Sequence, residues 1–459
     1  MVSHAMPRFF SLCFVLIVLA GCTSYGVIEN DAAIEVDPMQ TYSIRALTGR
    51  GHSQDISLVL AFSGGGTRAA ALAYGVLQEL RDTPLGSGEE RRRVLDEIDV
   101  ITSVSGGSFA SAYYGLHGDR IFDDFEDVFL RQNFQGHLIR SLFNPAFWFS
   151  STGRTELAVK YYETEVFHDA TFADMRKAGG PLVVINASDL GYGVRFSFVQ
   201  EYFNLLCSDI SSFPVARAVT ASSAVPVLFN PVVVENYMDC KQELPAWLVA
   251  AAERTKGDVQ MTAVVEGLKS YFLKEDRAYA HLVDGGITDN LGLRAVYEVI
   301  EGTGGAQAFV TKRGGLPPRQ IVIIAVNAST DPEPYMDKSN RQPSAAETIS
   351  AMSDVQLHRY NIDTIELLKS RMQDWAREVS TPERPVNAHF VHLTFNDLEA
   401  PEDRHFINSV PTSFDLSDEQ VDRTIAAGRE LLREHPEFQR FLAEYTGELM
   451  IDGGSEERP

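Results

Sequence analysis

A serine stands where a strand is expected to turn into a helix, within residues 99–110. A β-branched run predicts the strand, Gly106 and Gly107 permit a sharp turn, and the small and apolar residues that follow predict a closely packed helix. Ser105 occupies the corner, where a hydroxyl would project beside the first helical amides, as a nucleophilic serine requires. Because Ser103 replaces the first glycine of Gly-x-Ser-x-Gly, an ordinary strand-turn-helix junction is the alternative interpretation.

Three adjacent glycines, Gly64, Gly65 and Gly66, follow an apolar run that predicts a buried strand, and Thr67 and Arg68 lead into a predicted helix. Glycines at such a turn let backbone amides converge on an anion. The spacing matches neither a dinucleotide fingerprint nor a phosphate-binding loop. An oxyanion hole is the remaining functional interpretation, and a flexible loop is the alternative.

Asp284 follows a short predicted strand and precedes Gly285 and Gly286, which places a carboxylate at a tight turn. A serine hydroxyl needs a base, and desolvation at such a turn would raise the basicity of a carboxylate. In a parallel sheet, reactive groups gather at the carboxyl ends of strands, so we expect the glycine loop, Ser105 and Asp284 to converge there. A purely structural turn is one alternative. A triad that uses nearby His281 is another, although its position inside a strand favours a structural role.

Strands that alternate with helices predict an α/β fold, with a mainly parallel sheet between two layers of helices. The region 237–279 reads as a mostly helical insertion with two amphipathic segments, and it could form a cap. An aromatic segment at 143–149 could form an apolar lip for lipid, or it could close the core. The predicted strands are 56–62, 100–102, 181–186, 194–199, 228–234, 281–283, 320–327 and 389–395, and the longest predicted helix is 345–379.

The chain has 459 residues, of which 44% are hydrophobic, and a formal net charge of −23. This length suits one large α/β domain with insertions or two domains. The negative charge argues against a nucleic-acid partner and against broad electrostatic adhesion to anionic lipid. Any membrane association should therefore rest on apolar contacts or on a covalent anchor.

The N-terminus supplies such an anchor. The apolar run 9–20 is short for a membrane span and suits a signal peptide, and it ends in Leu-Ala-Gly-Cys, which resembles a bacterial lipoprotein box. We expect residues 1–21 to be removed, Cys22 to carry lipid, and residues 22–54 to form a tether. By resemblance to lipoprotein sorting, Thr23 indicates the outer membrane of a bacterial cell envelope. A plain secretory signal or an uncleaved anchor is the alternative.

Export to an oxidising compartment makes a disulfide between Cys207 and Cys240 plausible, with two free thiols as the alternative. The sequence contains no cysteine–histidine cluster with zinc spacing, and we expect neither a metal nor a cofactor.

Four motifs in one order resemble those of patatin-like phospholipases: Gly64–Arg68, Ser103–Gly107, Ala221–Pro226, and Asp284–Gly286 with Asp289 and Asn290. The resemblance implies a patatin-type α/β hydrolase fold with a Ser-Asp dyad and no catalytic histidine. It implies Ser105 as the nucleophile, Asp284 as its base and the 64–68 loop as the oxyanion hole. Gly106, Gly107, Gly285, Gly286 and Asn290 are supporting positions.

The resemblance covers residues 56 to about 300, and we expect one hydrolase domain over residues 55–446, with an insertion near 237–279 and a polar tail at 447–459. The expected function is serine acyl hydrolysis of lipid esters through an acyl-enzyme, as in a phospholipase A. Two alternatives stay open: an acyltransferase that uses the same dyad, and a non-catalytic, lipid-anchored binding protein.

Overall fold

The computed structural model describes residues 25–453, except residues 35, 38, 48–52, 87–90, 135, 137–152, 227, 239–242, 315 and 332–338. The predicted signal peptide, Cys22, Cys240 and the aromatic segment 143–149 lie outside the described residues. Lipidation, the Cys207–Cys240 pair and the apolar lip therefore stay predictions, although Cys207 itself is disulfide-bonded.

The strands and helices alternate along much of the chain. The strands are β1 (Asp31–Ala32), β2 (Ile56–Phe62), β3 (Pro84–Leu85), β4 (Arg92–Arg93), β5 (Ile98–Val104), β6 (Leu182–Asp189), β7 (Val194–Ser197), β8 (Ser208–Asp209), β9 (Val232–Glu235), β10 (Tyr279–Val283), β11 (Gln320–Asn327) and β12 (Asn387–Thr394).

The helices are α1 (Ile44–Leu47), α2 (Gly66–Asp82), α3 (Gly106–His117), α4 (Ile121–Phe125), α5 (Arg154–Tyr162), α6 (Phe172–Ala178), α7 (Gln200–Phe203), α8 (Val215–Ser222), α9 (Ala246–Arg254), α10 (Val259–Lys269), α11 (Gly286–Asp289), α12 (Leu293–Thr303), α13 (Ala306–Arg313), α14 (Ala345–Val379), α15 (Pro401–Ser409), α16 (Asp418–Glu434) and α17 (Pro436–Gly453). Short 3₁₀ segments cover Val94–Glu97, Gly118–Arg120, Asn204–Leu206, Ser270–Phe272 and Phe395–Asp397, and π-helical turns Glu126–Leu130 and Glu163–Phe167 extend α4 and α5.

A mostly parallel sheet lies at the centre, as predicted. Among the described residues it has the strand order β12-β11-β2-β5-β6-β10-β9, and β7 also pairs with β6. The five strands from β12 to β6 are parallel to one another. The strands β10 and β7 each run antiparallel to β6, and β9 runs antiparallel to β10.

Helices cover both faces of this sheet, which is why its inner strands are nearly continuous apolar runs. On one face, Leu58 and Leu60 of β2 share a core with Leu72 of α2. On the other face, Ala61 of β2 packs in a second core with residues of α12 and α14, among them Trp375. The bounds predicted for β2, β11 and α14 are those observed, because each carries a long and uninterrupted apolar or amphipathic pattern.

The predicted tether differs from the structure. In its described part, β1 pairs with β8, and Glu29 forms an ion pair with Arg217. The buried Tyr42 hydroxyl donates to the Val183 carbonyl at 3.0 Å and accepts from the Val183 amide at 2.7 Å. The described part of residues 25–47 is therefore attached to the domain by these contacts and does not form a free tether. These contacts are isolated polar contacts between residues that are distant in sequence. Because they produce no periodic pattern in the sequence, they could not be predicted from it.

The insertion contains α9 and α10, at the two amphipathic segments that the sequence predicts. The C-terminal helix α17 continues to Gly453, into the region that we predicted to be a polar tail. No helix within the described ranges is both long and apolar enough to span a bilayer.

The packing of α2 against α16 depends on two glycines. A Cβ atom on Gly75 would lie 2.2 Å from the carbonyl oxygen of Ile425, and one on Gly428 would lie 2.5 Å from that of Leu72. Gly75→Ala should therefore lower the free energy of unfolding by about 1–3 kcal/mol, although alanine favours helices.

Gly302→Ala is the matched control, because Gly302 is also helical and a Cβ there meets nothing within 4 Å. It should raise the free energy of unfolding by up to about 1 kcal/mol. Urea midpoints of the two variants measure the difference. If Gly75→Ala were as stable as the wild type or more stable, the close contact between Gly75 and Ile425 would be contradicted.

Candidate active site

Ser105 lies at a strained corner between β5 and α3. Its backbone has φ 49° and ψ −123°, a region that costs a non-glycine residue about 1–3 kcal/mol. The glycines that follow are required by space, because a Cβ on Gly106 would lie 1.9 Å from the Gly66 carbonyl oxygen and one on Gly107 would lie 2.7 Å from that of Ser63. The corner therefore holds Ser105 against the glycine loop.

Serine replaces glycine at position 103 without conflict. The Ser103 side chain is fully buried, and its hydroxyl accepts a hydrogen bond from the Ser111 hydroxyl at 2.6 Å. A small polar side chain is thus accommodated inside the sheet-to-helix contact.

The Ser105 hydroxyl donates a hydrogen bond of 2.8 Å from Oγ to Oδ2 of Asp284. The other carboxylate oxygen of Asp284 accepts from the Gly286 amide, also at 2.8 Å. Both side chains are buried. Burial raises the pKa of Asp284 to about 6, and the bonds from Gly286 and Ser105 oppose that rise. A carboxylate of this kind can accept the serine proton near neutral pH.

Strand register brings these two residues together. The last residue of β5 lies opposite Asn186, and the last residue of β10 lies opposite Ser188. Ser105 and Asp284, the next residues in the chain, therefore both come level with Ala187. The structure brings Ser105 and Asp284 together by a different route from the one that a parallel sheet would give: β10 runs antiparallel to β6, and the two residues reach β6 from opposite directions.

Ser222 was missed as a site residue by the sequence analysis, which used it only as part of a motif. Its hydroxyl accepts from the Ser105 amide at 2.8 Å, donates to the Asn186 carbonyl at 2.6 Å, and lies 3.0 Å from the Ser108 hydroxyl. Its carbonyl accepts from the Gly285 amide. Ser222 thus joins the strained corner to the aspartate turn.

The glycine loop keeps two amides available. The amides of Gly64 and Thr67 donate to carbonyl oxygens elsewhere in the fold, at 3.0 and 2.9 Å. Within the described part of the chain, the amides of Gly65 and Gly66 donate to no acceptor. Both residues have a positive φ, a backbone conformation that glycine adopts readily and that changes the direction of their amides. A Cβ on Gly64 would lie 3.3 Å from the Ser105 Cβ, so the loop lies directly against the serine.

A family model of patatin-like phospholipases matches residues 60–297, which is more than half of the chain. The chain belongs to the patatin-like phospholipase family. The resemblance inferred from the motifs is confirmed, and so is the patatin fold. This membership supports lipid acyl hydrolysis as the general activity.

Solved structures resemble the chain more distantly. Human GIVD cytosolic phospholipase A2 aligns over 93% of this chain at 14% identity, with a TM-score of 0.42, and the chain spans 66% of that enzyme. VipD from Legionella pneumophila aligns over 94% of this chain and 73% of its own, at 11% identity and a TM-score of 0.31. No curated protein matches the sequence significantly.

The arginine of the patatin-like glycine motif points away from the serine. Its buried guanidinium donates to the carbonyls of Ala328 at 3.0 Å and Val410 at 2.5 Å, and to the Thr412 hydroxyl at 3.0 Å. Desolvation lowers the pKa of Arg68 to about 10, and Asp354 opposes that effect. Arg68 therefore ties the segment 410–413 onto the loop, and this segment lies outside the family-matched residues.

The same segment contacts the loop backbone. The Thr67 amide donates to the Ser413 carbonyl, and a Cβ on Gly66 would lie 2.4 Å from that oxygen. Asn290 closes the other side: its Oδ1 lies 2.7 Å from the Cβ position of Gly64 and 3.2 Å from that of Gly286. Asn290 and Gly286, two of the predicted supporting residues, therefore lie between the glycine loop and the turn that follows Asp284.

His281 is not part of this arrangement. It is exposed on β10, where it pairs with Val233, and within the described residues it makes no hydrogen bond to Ser105 or Asp284. The described ranges also contain no group of three or more His, Cys, Asp or Glu side chains that could hold a metal ion.

Ser222→Ala should leave the Ser105 amide buried without its acceptor and loosen the corner. We expect kcat on a soluble acyl ester to fall at least about tenfold with little change in KM, because misplacement of the nucleophile affects the reaction more than binding.

Ser223→Ala is the neighbouring control. The Ser223 hydroxyl donates to the Val219 carbonyl inside its own helix, so this variant should keep kcat within about twofold. Equal kcat values for the two variants would show that Ser222 does not position Ser105.

Proposed function

We propose that this protein is a serine acyl hydrolase that cleaves fatty-acyl esters of lipids with Ser105 as nucleophile and Asp284 as base. The observation that carries the proposal is the 2.8 Å hydrogen bond from Ser105 Oγ to a buried carboxylate, at a strained strand-to-helix corner. Membership of the patatin-like phospholipase family supports a lipid ester as the substrate.

The first step forms an acyl-enzyme. Asp284 takes the proton of the Ser105 hydroxyl as Oγ attacks the ester carbonyl carbon. The oxygen of that carbonyl gains negative charge, which the amides of Gly65 and Gly66 are available to stabilise, at about 3 kcal/mol per donor. When the tetrahedral intermediate collapses, the ester C–O bond breaks and the protonated Asp284 gives its proton to the leaving alcohol.

The second step releases the fatty acid. Asp284, again ionised, takes a proton from a water molecule whose oxygen attacks the acyl carbon. Collapse of this intermediate breaks the bond to Oγ, and the proton on Asp284 returns to Ser105. A lipid hydroxyl in place of that water would give acyl transfer by the same residues.

Ser105→Ala and Asp284→Asn should each lower fatty-acid release by about 10³-fold or more, because one removes the nucleophile and the other removes the base while keeping its shape. Mass spectrometry of products from mixed phospholipid vesicles, with and without an acceptor lipid, measures release and separates hydrolysis from transfer.

A fluorophosphonate probe should label the wild type and not Ser105→Ala, with circular dichroism as the control for folding. Full turnover by Ser105→Ala would overturn the assignment of the nucleophile. Absence of labelling and of products in the folded wild type would favour a non-catalytic binding protein.

The pH dependence follows from the pKa of Asp284. Because the base must be ionised, kcat/KM on a neutral ester should rise tenfold per pH unit below about pH 6 and level off above it. The free energy of unfolding should change in the opposite direction and fall as the pH rises. Burial raises the pKa from 3.8 in the unfolded chain to about 6, so the stabilisation present below pH 4 is lost as the pH rises through 6.

Asp284→Asn removes this titration. Between pH 4 and pH 8, the wild type should therefore lose on the order of 2–3 kcal/mol of unfolding free energy relative to Asp284→Asn. Denaturant titrations of both proteins at the two pH values give the difference. If the unfolding free energies of the wild type and Asp284→Asn changed equally with pH, the raised pKa of Asp284 would be contradicted.

A further inference from the structure

A cavity of about 140 Å³ lies between the sheet and the helices α12, α13 and α14. Its floor is formed by β11, β2, β5 and β6, through side chains such as Ile323, Val59 and Val184, and its roof by side chains such as Val299 and Trp375. Four neighbouring strands lie about 4.8 Å apart, so the floor extends over roughly 14 Å. The cavity is therefore elongated across the strands rather than round.

This cavity is separate from the candidate active site. In β2, β6 and β11 it is lined by residues from the first half of each strand, whereas Ser105 and the glycine loop follow the carboxyl ends of β5 and β2. Thr102 is the lining residue of β5 nearest to Ser105, three residues and about 10 Å away along the chain. Of the described residues that line the cavity, none is Ser105, Asp284 or a member of the glycine loop.

The walls specify an uncharged occupant. Among the described lining residues, two side chains carry a formal charge, and both are engaged within the protein. Arg195 pairs with Glu298 at 2.7 Å, and the carboxylate of Asp99 accepts from the Leu58 amide at 3.2 Å. The other described lining residues are mostly apolar, apart from the hydroxyl-bearing Ser57, Thr102, Ser197 and Tyr202, so a charged group placed inside would lose its water without gaining a charged partner.

The cavity reaches the protein surface at Leu316, a lining residue that is 63% exposed. A ligand could therefore leave a polar head group in solvent while its chain enters past Leu316.

We propose that this cavity is a second lipid-binding site, which takes one medium-length hydrocarbon chain of a fatty acid or lysolipid. The elongated floor fits such a chain, and the absence of a free charge inside fits a ligand whose head group stays outside. The site binds without turnover, so it does not depend on the reaction proposed for Ser105.

The test is isothermal titration calorimetry with dodecanoate below its micelle concentration, on Ser105→Ala protein. Val299→Phe in the same background places a ring in the cavity and should weaken binding at least about tenfold. Val249→Phe is the matched control on α9, because Val249 is 46% exposed and does not line the cavity; it should leave binding unchanged. Decanoate should bind roughly fifteenfold more weakly than dodecanoate, since it lacks two methylenes and each buried methylene contributes about fourfold.

Two further measurements keep the result decisive. If Val299→Phe has a much lower melting temperature than its parent, Ala306→Leu fills the same cavity with a smaller change and should also weaken binding. Wild-type protein labelled at Ser105 with a long-chain fluorophosphonate should still bind dodecanoate. Loss of binding on labelling would place the chain at Ser105 and overturn the proposal, as would undiminished binding by both folded cavity variants or absence of binding by the parent protein.

If the fluorophosphonate does not label Ser105, that result would count against the hydrolase function proposed for Ser105 and not against the cavity. The comparison between Val299→Phe and Val249→Phe would still decide whether the cavity binds the chain.

Discussion

Two of the three strands that pair with β6, namely β5 and β10, impose the constraint on which the rest of the site depends. The strand β5 runs parallel to β6 and β10 runs antiparallel to it, and their registers bring the ends of both strands to the same level. Side chains alternate between the faces of a strand, so a slip of one residue in either pairing would turn Ser105 or Asp284 to the wrong face. Residues that are far apart in the chain thus meet through backbone pairing, before any side chain contributes.

Around that meeting point, the polar groups satisfy one another, and no cationic side chain of the described residues acts on Asp284. Ser222 accepts the amide of the strained corner, and the aspartate turn returns a bond to the Ser222 carbonyl. The one arginine of the glycine motif directs its guanidinium to other carbonyls. A cation against Asp284 would favour its ionised form and lower its pKa, whereas burial alone raises it. The orientation of Arg68 therefore preserves the basicity of the carboxylate.

The sequence predicted those parts of the fold that repeat a local pattern. The strands β2 and β11 and the helix α14 have the predicted bounds, and the turns at Ser105 and Asp284 lie where the glycines indicated. The direction of β10 could not be predicted, because a five-residue strand has the same sequence pattern whether its neighbour is parallel or antiparallel. The docking of Tyr42 and the bonds of Ser222 were also missed, since each depends on a few polar contacts between distant residues. The pairing of Ser105 with Asp284 came from the order of the four motifs rather than from either residue.

The position of β11 bears on how the molecule could be shortened. This strand separates β12 from β2, and it begins more than twenty residues after the family-matched stretch ends. A polypeptide trimmed to that stretch would expose the hydrogen-bonding edge of β2, a surface that invites pairing with other chains. It would also remove all three acceptors of the Arg68 guanidinium. The family-matched half of the sequence is thus not a minimal folding unit, and any shortened version must keep the chain at least through the Arg68 contacts near residue 412.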